Sequence, residues 1–244
     1  PAAGPHARRG MLRWSVVRGS RPRGANHDDG RSSGGIDVIS LEPPKPWPHA
    51  AVILSGGASR RMGVPKGGMI LPDGRNMLER MRDMLASFCR QVVIAGPSHG
   101  VAGHQSIEDL RPDSGPLAAI ESALASDISP QYLIVPCDLP LLPAGLLARL
   151  LVGDDDGMTC FTSASEPRVR GLPCRIGSEC LDVVRDMLDA GDRAVHRLVV
   201  RLGPDAVTVP IADRERPLLW NVNTPEDFEE ACRLMRSDPP NEGS

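Results

Sequence analysis

No stretch of the 244-residue chain approaches the roughly 20 uninterrupted apolar residues that a bilayer span requires, and this excludes a membrane-spanning protein for most of the length. Aromatic residues are scarce, seven in all against 49 glycines and prolines. Yet 41% of the residues are apolar and 24% charged, which suits a folded domain with a core and excludes a collagen-like or wholly disordered chain. The six cysteines, Cys89, Cys137, Cys160, Cys174, Cys180 and Cys232, include no CxxC pair and no close histidine partner. They read as small buried apolar residues of a reduced cytosolic protein rather than as disulfides or metal ligands. Lysine is nearly absent: 26 of the 28 basic residues are Arg, and only Lys45 and Lys66 are Lys. The bias reads as nucleotide composition, but a lysine retained against it marks a position where arginine would fail.

Charge divides the chain. Residues 1–48 carry eight basic and four acidic side chains, and the remainder 20 and 27. The acidic remainder shows no basic stripe for a nucleic-acid backbone, so nucleic acid is not an expected partner. Residues 1–48 are rich in Pro, Gly and Arg and lack a periodic apolar pattern, so a disordered or non-native N-terminal extension is expected, with Trp47-Pro48 as the end of a linker. Residues 237–244 are expected to form a disordered tail. The folded domain is placed at 49–236.

Within it, apolar runs alternate with helical patterns. Strands are expected at 50–54, 92–95, 132–135, 159–162, 172–176 and 206–209, with a weaker one ending at Ile107. Helices are expected from Asn76, which precedes the stripe Met77, Leu78, Met81, Met84, Leu85 and Phe88, and over 116–125, 146–152, 181–188, 195–200 and 225–235. Alternation on this scale predicts an α/β fold, a three-layer α/β/α Rossmann-like arrangement with a mainly parallel but mixed sheet. Ligands of such sheets bind at the carboxyl ends of strands.

Those ends carry the chemistry. The first strand runs into Leu54-Ser55-Gly56-Gly57-Ala58-Ser59-Arg60-Arg61-Met62-Gly63-Val64-Pro65-Lys66. Paired glycines let backbone amides approach a phosphate, and Arg61 and Lys66 add positive charge. The spacing is neither that of a P-loop nor GxGxxG. Asp109 follows the weak strand and Asp138 the Tyr132–Val135 strand, positions suited to Mg²⁺, which takes one or two carboxylates plus phosphate oxygens. Asn221 and Asn223 alternate in an extended segment, so their amides point the same way, while Thr224, Pro225, Glu226 and Asp227 read as a helix entry.

The ordered set LSGGASRRMGVPK, IEDLRPDSGPLAAI, PCDLPLL and NVNTPED resembles the molybdenum cofactor guanylyltransferases of the nucleotidyltransferase superfamily, over about residues 49–235. The resemblance implies an enzyme that couples GTP to molybdopterin, releases pyrophosphate and makes the guanine dinucleotide form of the cofactor. It implies that Leu54, Ser55 and Gly56 meet guanine and ribose, that Gly57 and Arg61 face phosphate, and that Lys66 contacts the nucleotide phosphates. Asp109 resembles a nucleotide-binding acid, Asp138 the Mg²⁺ ligand, and Asn221 with Asn223 a pair on the molybdopterin side. The chain departs from the family at Ala95, where an Asn contact is expected, at Pro65, where Asp often stands, and at Ser55, which replaces Ala. Arg61, Lys66 and Asp138 are the expected catalytic set, acting by alignment and charge neutralisation on an attacking phosphate that needs no general base. Expected partners are GTP, molybdopterin and proteins of cofactor synthesis or molybdoenzyme maturation, in the cytoplasm and away from membranes. A cytidylyltransferase acting on the same cofactor, a superfamily member with a sugar phosphate or phospholactate substrate, and a non-catalytic nucleotide-binding protein remain alternatives.

Overall fold

The computed structural model describes residues 45–56, 66–153, 157–163 and 166–237. The disorder expected before residue 45 and after 237 therefore lies outside the described residues. Among them, seven strands form one sheet: β1 (Trp47–Leu54), β2 (Cys89–Ala95), β3 (Gln105–Ile107), β4 (Gln131–Pro136), β5 (Met158–Ser163), β6 (Glu166–Gly177) and β7 (Ala206–Ile211), in the order β3-β2-β1-β4-β6-β5-β7. β1 pairs in parallel with β2 and β4, β2 with β3, and β5 with β7. Only β6 runs against its neighbours, β4 and β5. The mainly parallel, mixed sheet is as expected.

Helices cover both faces, which is why the central strands are apolar at every position rather than at alternate ones. In β1, Ala50, Val52 and Leu54 pack on one side with residues of α2 (Pro116–Ala125), α4 (Leu181–Asp189) and α5 (Val195–Leu202). Ala51 and Ile53 pack on the other with α1 (Met77–Ala86) and α3 (Ala144–Ala148). The last helix, α6 (Pro225–Ser237), closes a smaller cluster in which Cys232 and Met235 meet Leu71 and Met77. No helix among the described residues is long and apolar enough to cross a membrane.

Local signals account for the element ends. The Asn76 side chain accepts from the Glu79 amide at 2.8 Å while the Glu79 carboxylate accepts from the Asn76 amide at 2.9 Å, a reciprocal cap on α1. Pro116 occupies the first turn of α2 after Gly115, whose φ of 82° suits glycine.

Three expectations are corrected. Trp47 and Pro48 are not a linker end: they belong to β1, and Trp47 is buried, its amide bonded to the Phe88 carbonyl at 2.7 Å. The helix expected over 146–152 is α3, which starts after the extended Pro143 and ends at Ala148, where the chain tightens into turns bonded three residues back. β6 has twelve residues instead of the five expected: β4 pairs with its end at 174–177, while β5 pairs with it there and again at Arg170 and Glu166, which carries the strand N-terminal to the expected start past Gly171. Gly171 is also needed for packing, because a Cβ there would fall 2.8 Å from the Val195 carbonyl carbon.

One ion pair anchors the segment leading to Asn221. Arg149, the C-cap of α3, donates from Nη1 to both carboxylate oxygens of the buried Glu215, at 2.9 and 3.0 Å, and from Nη2 to the Pro210 carbonyl. Burial pushes the Glu215 carboxyl up, but the Ala212 amide and the Arg149 guanidinium outweigh it and hold the group below the ordinary carboxylate range. A depressed carboxylate pKa stabilises the fold above the unfolded-state value, and that stability is lost as pH falls through the folded-state value. Arg149→Ala is expected to cost about 2–3 kcal/mol at pH 7, and the cost should shrink as the pH is lowered through the folded-state value of Glu215. Urea unfolding of both proteins along a series of pH values from 7 downward measures the difference.

Candidate functional site

Three segments far apart in sequence meet beyond the carboxyl ends of β1 and β4. Asp138 lies two residues past β4. Its backbone carbonyl accepts from the Val222 amide at 2.9 Å, which draws the extended segment 221–223 alongside. The Asn221 amide then donates to Asp138 Oδ1 at 2.9 Å. Lys66 arrives from the loop after β1, on a single 3-10 turn (Lys66–Gly68), and its Nζ donates to Asp138 Oδ2 at 3.3 Å and to Asn223 Oδ1 at 2.7 Å. Asn223 is itself oriented by its Nδ2 donating to the Asn221 carbonyl at 3.2 Å. Four of the residues expected from sequence thus form one hydrogen-bonded cluster, with the Lys66 and Asp138 side chains 20% and 17% exposed, accessible to a ligand yet fixed in place.

The helix entry after Asn223 is structural, as expected. Asp227 accepts from the amides of Asn223 and Thr224, both at 2.9 Å, and the Thr224 hydroxyl accepts from the Asp227 amide at 3.2 Å. This cap holds Asn223 at the start of α6.

The other expected residues are distributed differently. Leu54 is buried among core residues of the α2 face, and its carbonyl accepts from the Cys137 amide at 3.0 Å, which ties β1 to the Asp138 turn. Ser55 is buried as well, with its amide on the Ala95 carbonyl at 3.0 Å and its hydroxyl donating to the Pro97 carbonyl. Gly56 is exposed and faces open space. Gly57 and Arg61 lie outside the described residues. Asp109 is not part of the Lys66 cluster: it is exposed at the end of β3, and its Oδ1 accepts from the Arg111 amide at 3.0 Å.

Two contributors were missed by the sequence reading. Arg111 fastens the Asp109 turn by pairing with the buried Glu121 of α2 at 2.8 Å and with Asp189 of α4 at 2.7 Å. The available signal was Glu121 itself, a charge on the apolar stripe of Leu117, Ile120 and Leu124. Gly96, with φ 110°, is the second: a Cβ there would lie 2.7 Å from the Gly56 amide nitrogen, so only glycine lets the loops after β1 and β2 close on each other.

The donor set fits magnesium bound jointly with a substrate. Asp138 offers a partly exposed carboxylate beside two amide side chains, and no group of three or more His, Cys, Asp or Glu among the described residues would cage an ion by itself. Magnesium favours such sparse carboxylate ligation completed by phosphate and water. Thiol chemistry is disfavoured: burial, reinforced by the Asp138 charge and opposed by Lys66, pushes the neighbouring Cys137 up to about 12.

Over residues 51–207 the chain matches the MobA-like NTP transferase domain family. It is 34% identical over 198 residues to the molybdenum cofactor guanylyltransferase of Xanthomonas euvesicatoria pv. vesicatoria (strain 85-10), covering 80% of this chain and 97% of that protein. It is 32% identical to the protein of the same name from Sinorhizobium fredii (strain NBRC 101917 / NGR234), with 74% and 89% covered. Among solved structures, the molybdopterin-guanine dinucleotide biosynthesis protein A of Archaeoglobus fulgidus superposes with a TM-score of 0.63 at 22% identity, covering 78% of this chain and all of that one, which speaks for the fold.

All six cysteines are buried and free. In the native protein at pH 8 none is expected to react with iodoacetamide on a timescale of minutes, whereas all six should be alkylated in denaturant; mass spectrometry counts the adducts. Rapid labelling of native Cys137 would reinstate a thiolate at the site.

Proposed function

The chain belongs to the MobA-like NTP transferase domain family, and from that membership we propose that it transfers GMP from GTP to molybdopterin, releasing pyrophosphate and forming the guanine dinucleotide cofactor. The observation that carries this reading is the Lys66–Asp138–Asn221–Asn223 cluster, which unites the phosphate-loop, post-β4 and NVN segments at one sheet edge. The names of the two bacterial relatives support guanine as the transferred base.

In this reaction a phosphate oxygen of molybdopterin bonds to the α-phosphorus of GTP as the bond to the β-phosphate's bridging oxygen breaks, and the electron pair leaves with pyrophosphate. The attacking oxygen is already anionic at neutral pH, so the chain has no proton to remove. Its work is to align two anions and offset their repulsion. The Lys66 ammonium lies at the loop end where the triphosphate is expected and exchanges its partners for phosphate oxygens. Arg61, from the same loop, adds a second positive charge. Asn221 holds the Asp138 carboxylate in one orientation through Oδ1, which leaves Oδ2 facing Lys66. Asp138 would hold magnesium, whose charge would further offset that of the triphosphate. Asn223, next to the position an incoming phosphate would take, is suited to the molybdopterin side. Six free, buried cysteines support a reducing, cytoplasmic setting.

Pyrophosphate release measured with each NTP, with and without molybdopterin, tests the reading. Release is expected with GTP and only when molybdopterin is present; release with CTP alone would transfer the assignment to the cytidylyl branch. Asp138→Ala should abolish turnover with the fold retained, and Lys66→Ala should lower it by about two to three powers of ten. Lys66→Arg should be nearly as poor, because a planar guanidinium cannot take the place of a compact ammonium between phosphate oxygens.

A further inference from the structure

The Lys66 turn continues into Gly67 and Gly68, two residues that leave the backbone behind the ammonium with the greatest possible freedom. On the far side the turn is tied down, by the Met69 amide on the Lys66 carbonyl and the Met77 amide on the Met69 carbonyl, both at 3.1 Å. The two glycines themselves are held by a side chain from another loop. A Cβ at Gly67 would lie 2.4 Å from His99 Cδ2 and 2.9 Å from Nε2, and one at Gly68 would lie 3.7 Å from His99 Cβ. The imidazole therefore fills the space over Gly67 that a side chain would otherwise occupy, and Gly67 is buried beneath it.

The loop that presents the ring is built to hold it there. His99 has φ 48°, one of three non-glycine residues in the left-handed region among those described. Histidine tolerates that region better than most residues, but it is still disfavoured and persists only where the surroundings impose it. The surroundings here are the Ser55 hydroxyl on the Pro97 carbonyl, the Val101 amide on the Ser98 carbonyl at 2.9 Å, the His104 ring on the Val101 carbonyl at 2.6 Å, and Val101 buried in the α1-side core.

We propose that His99 is a positioning residue for Lys66: its ring braces the Gly67-Gly68 backbone and thereby fixes where the ammonium meets the nucleotide phosphates. The inference rests on Lys66 being a phosphate contact, as read above. It assigns His99 no contact with substrate.

Gly67 makes the proposal testable in both directions. Its φ is not left-handed, so its backbone accepts alanine, and the obstacle is the His99 ring. Equilibrium binding of GTP in the presence of magnesium is to be measured for wild type, H99G, G67A, the H99G/G67A pair, K66A and H99G/K66A, with thermal melting as the check on folding. H99G permits the left-handed backbone while removing the ring, and it should weaken binding about tenfold. G67A should weaken it similarly by expelling the ring. In the H99G/G67A protein the new methyl fits the vacated space and stiffens the turn, so affinity should return to within about threefold of wild type. In the K66A background, H99G should change nothing further. Wild-type affinity for H99G, or an undiminished H99G effect on top of K66A, overturns the role of His99 while leaving Lys66 as read. Wild-type affinity for K66A alone would overturn the reading of Lys66 and the inference with it.

Discussion

The site depends on one ion pair. Lys66 and Asp138 meet at 3.3 Å with about a fifth of each side chain exposed, so the cost of withdrawing both charges from water offsets much of their attraction. The significance of the pair is positional. The pair joins the loop after β1 to the turn after β4, two strands that lie side by side in the sheet although the residues are 72 apart in sequence, and Asn223 brings in a third segment 157 residues from Lys66. Strand adjacency places the termini within reach, and the side chains set the final geometry.

The same dependence explains why so much of the scaffold serves segment 221–223. Nothing in the sheet itself carries these residues, since β7 ends at Ile211 on the far edge. The chain returns across the sheet through the stretch Asp213–Leu219, and Glu215 in that stretch is anchored to Arg149 at the end of α3. It is then caught by the Val222 amide on the Asp138 carbonyl and by the Thr224–Asp227 cap of α6. A buried carboxylate clamped by a guanidinium is a poor source of net stability but an effective way to select one chain path, because breaking it leaves a charge without a partner.

Much of this was legible in the sequence, for physical reasons that differ from residue to residue. The buried strands were readable because parallel strands covered on both faces are apolar throughout, and α1 because Asn76 stands as a cap before an apolar stripe at helical spacing. Lys66 stood out because arginine replaces lysine almost everywhere else, and Asn221 and Asn223 because an extended segment turns alternate side chains the same way. What escaped were features that depend on tertiary partners. Gly171 looks like the start of the strand until β5 is seen to pair with β6 beyond it, at Arg170 and Glu166. Trp47 looks like a linker residue until Phe88 pairs with its amide. Arg111 has no local pattern to distinguish it from the other arginines, and its role appears only where Glu121 is found buried beneath it.

The choice of asparagine beside this pair follows from charge balance. Lys66 and Asp138 cancel formally, and the two residues that orient them, Asn221 and Asn223, add donors and acceptors without adding charge. A carboxylate at 223 would accept from Lys66 as well as an amide does, and one at 221 could not donate to Asp138 as Asn221 does; either would make the cluster net negative and oppose a polyanionic triphosphate across a few ångströms, where the effective dielectric is well below that of water. A cationic side chain there would attract the nucleotide but compete with Lys66 for Asp138. Neutral amides avoid both outcomes, so the ammonium can exchange its protein partners for phosphate oxygens without a large change in the local electrostatic balance. Rigidity therefore has to come from elsewhere, from the Val222–Asp138 backbone bond and the α6 cap, which fix the amides in position without adding charge.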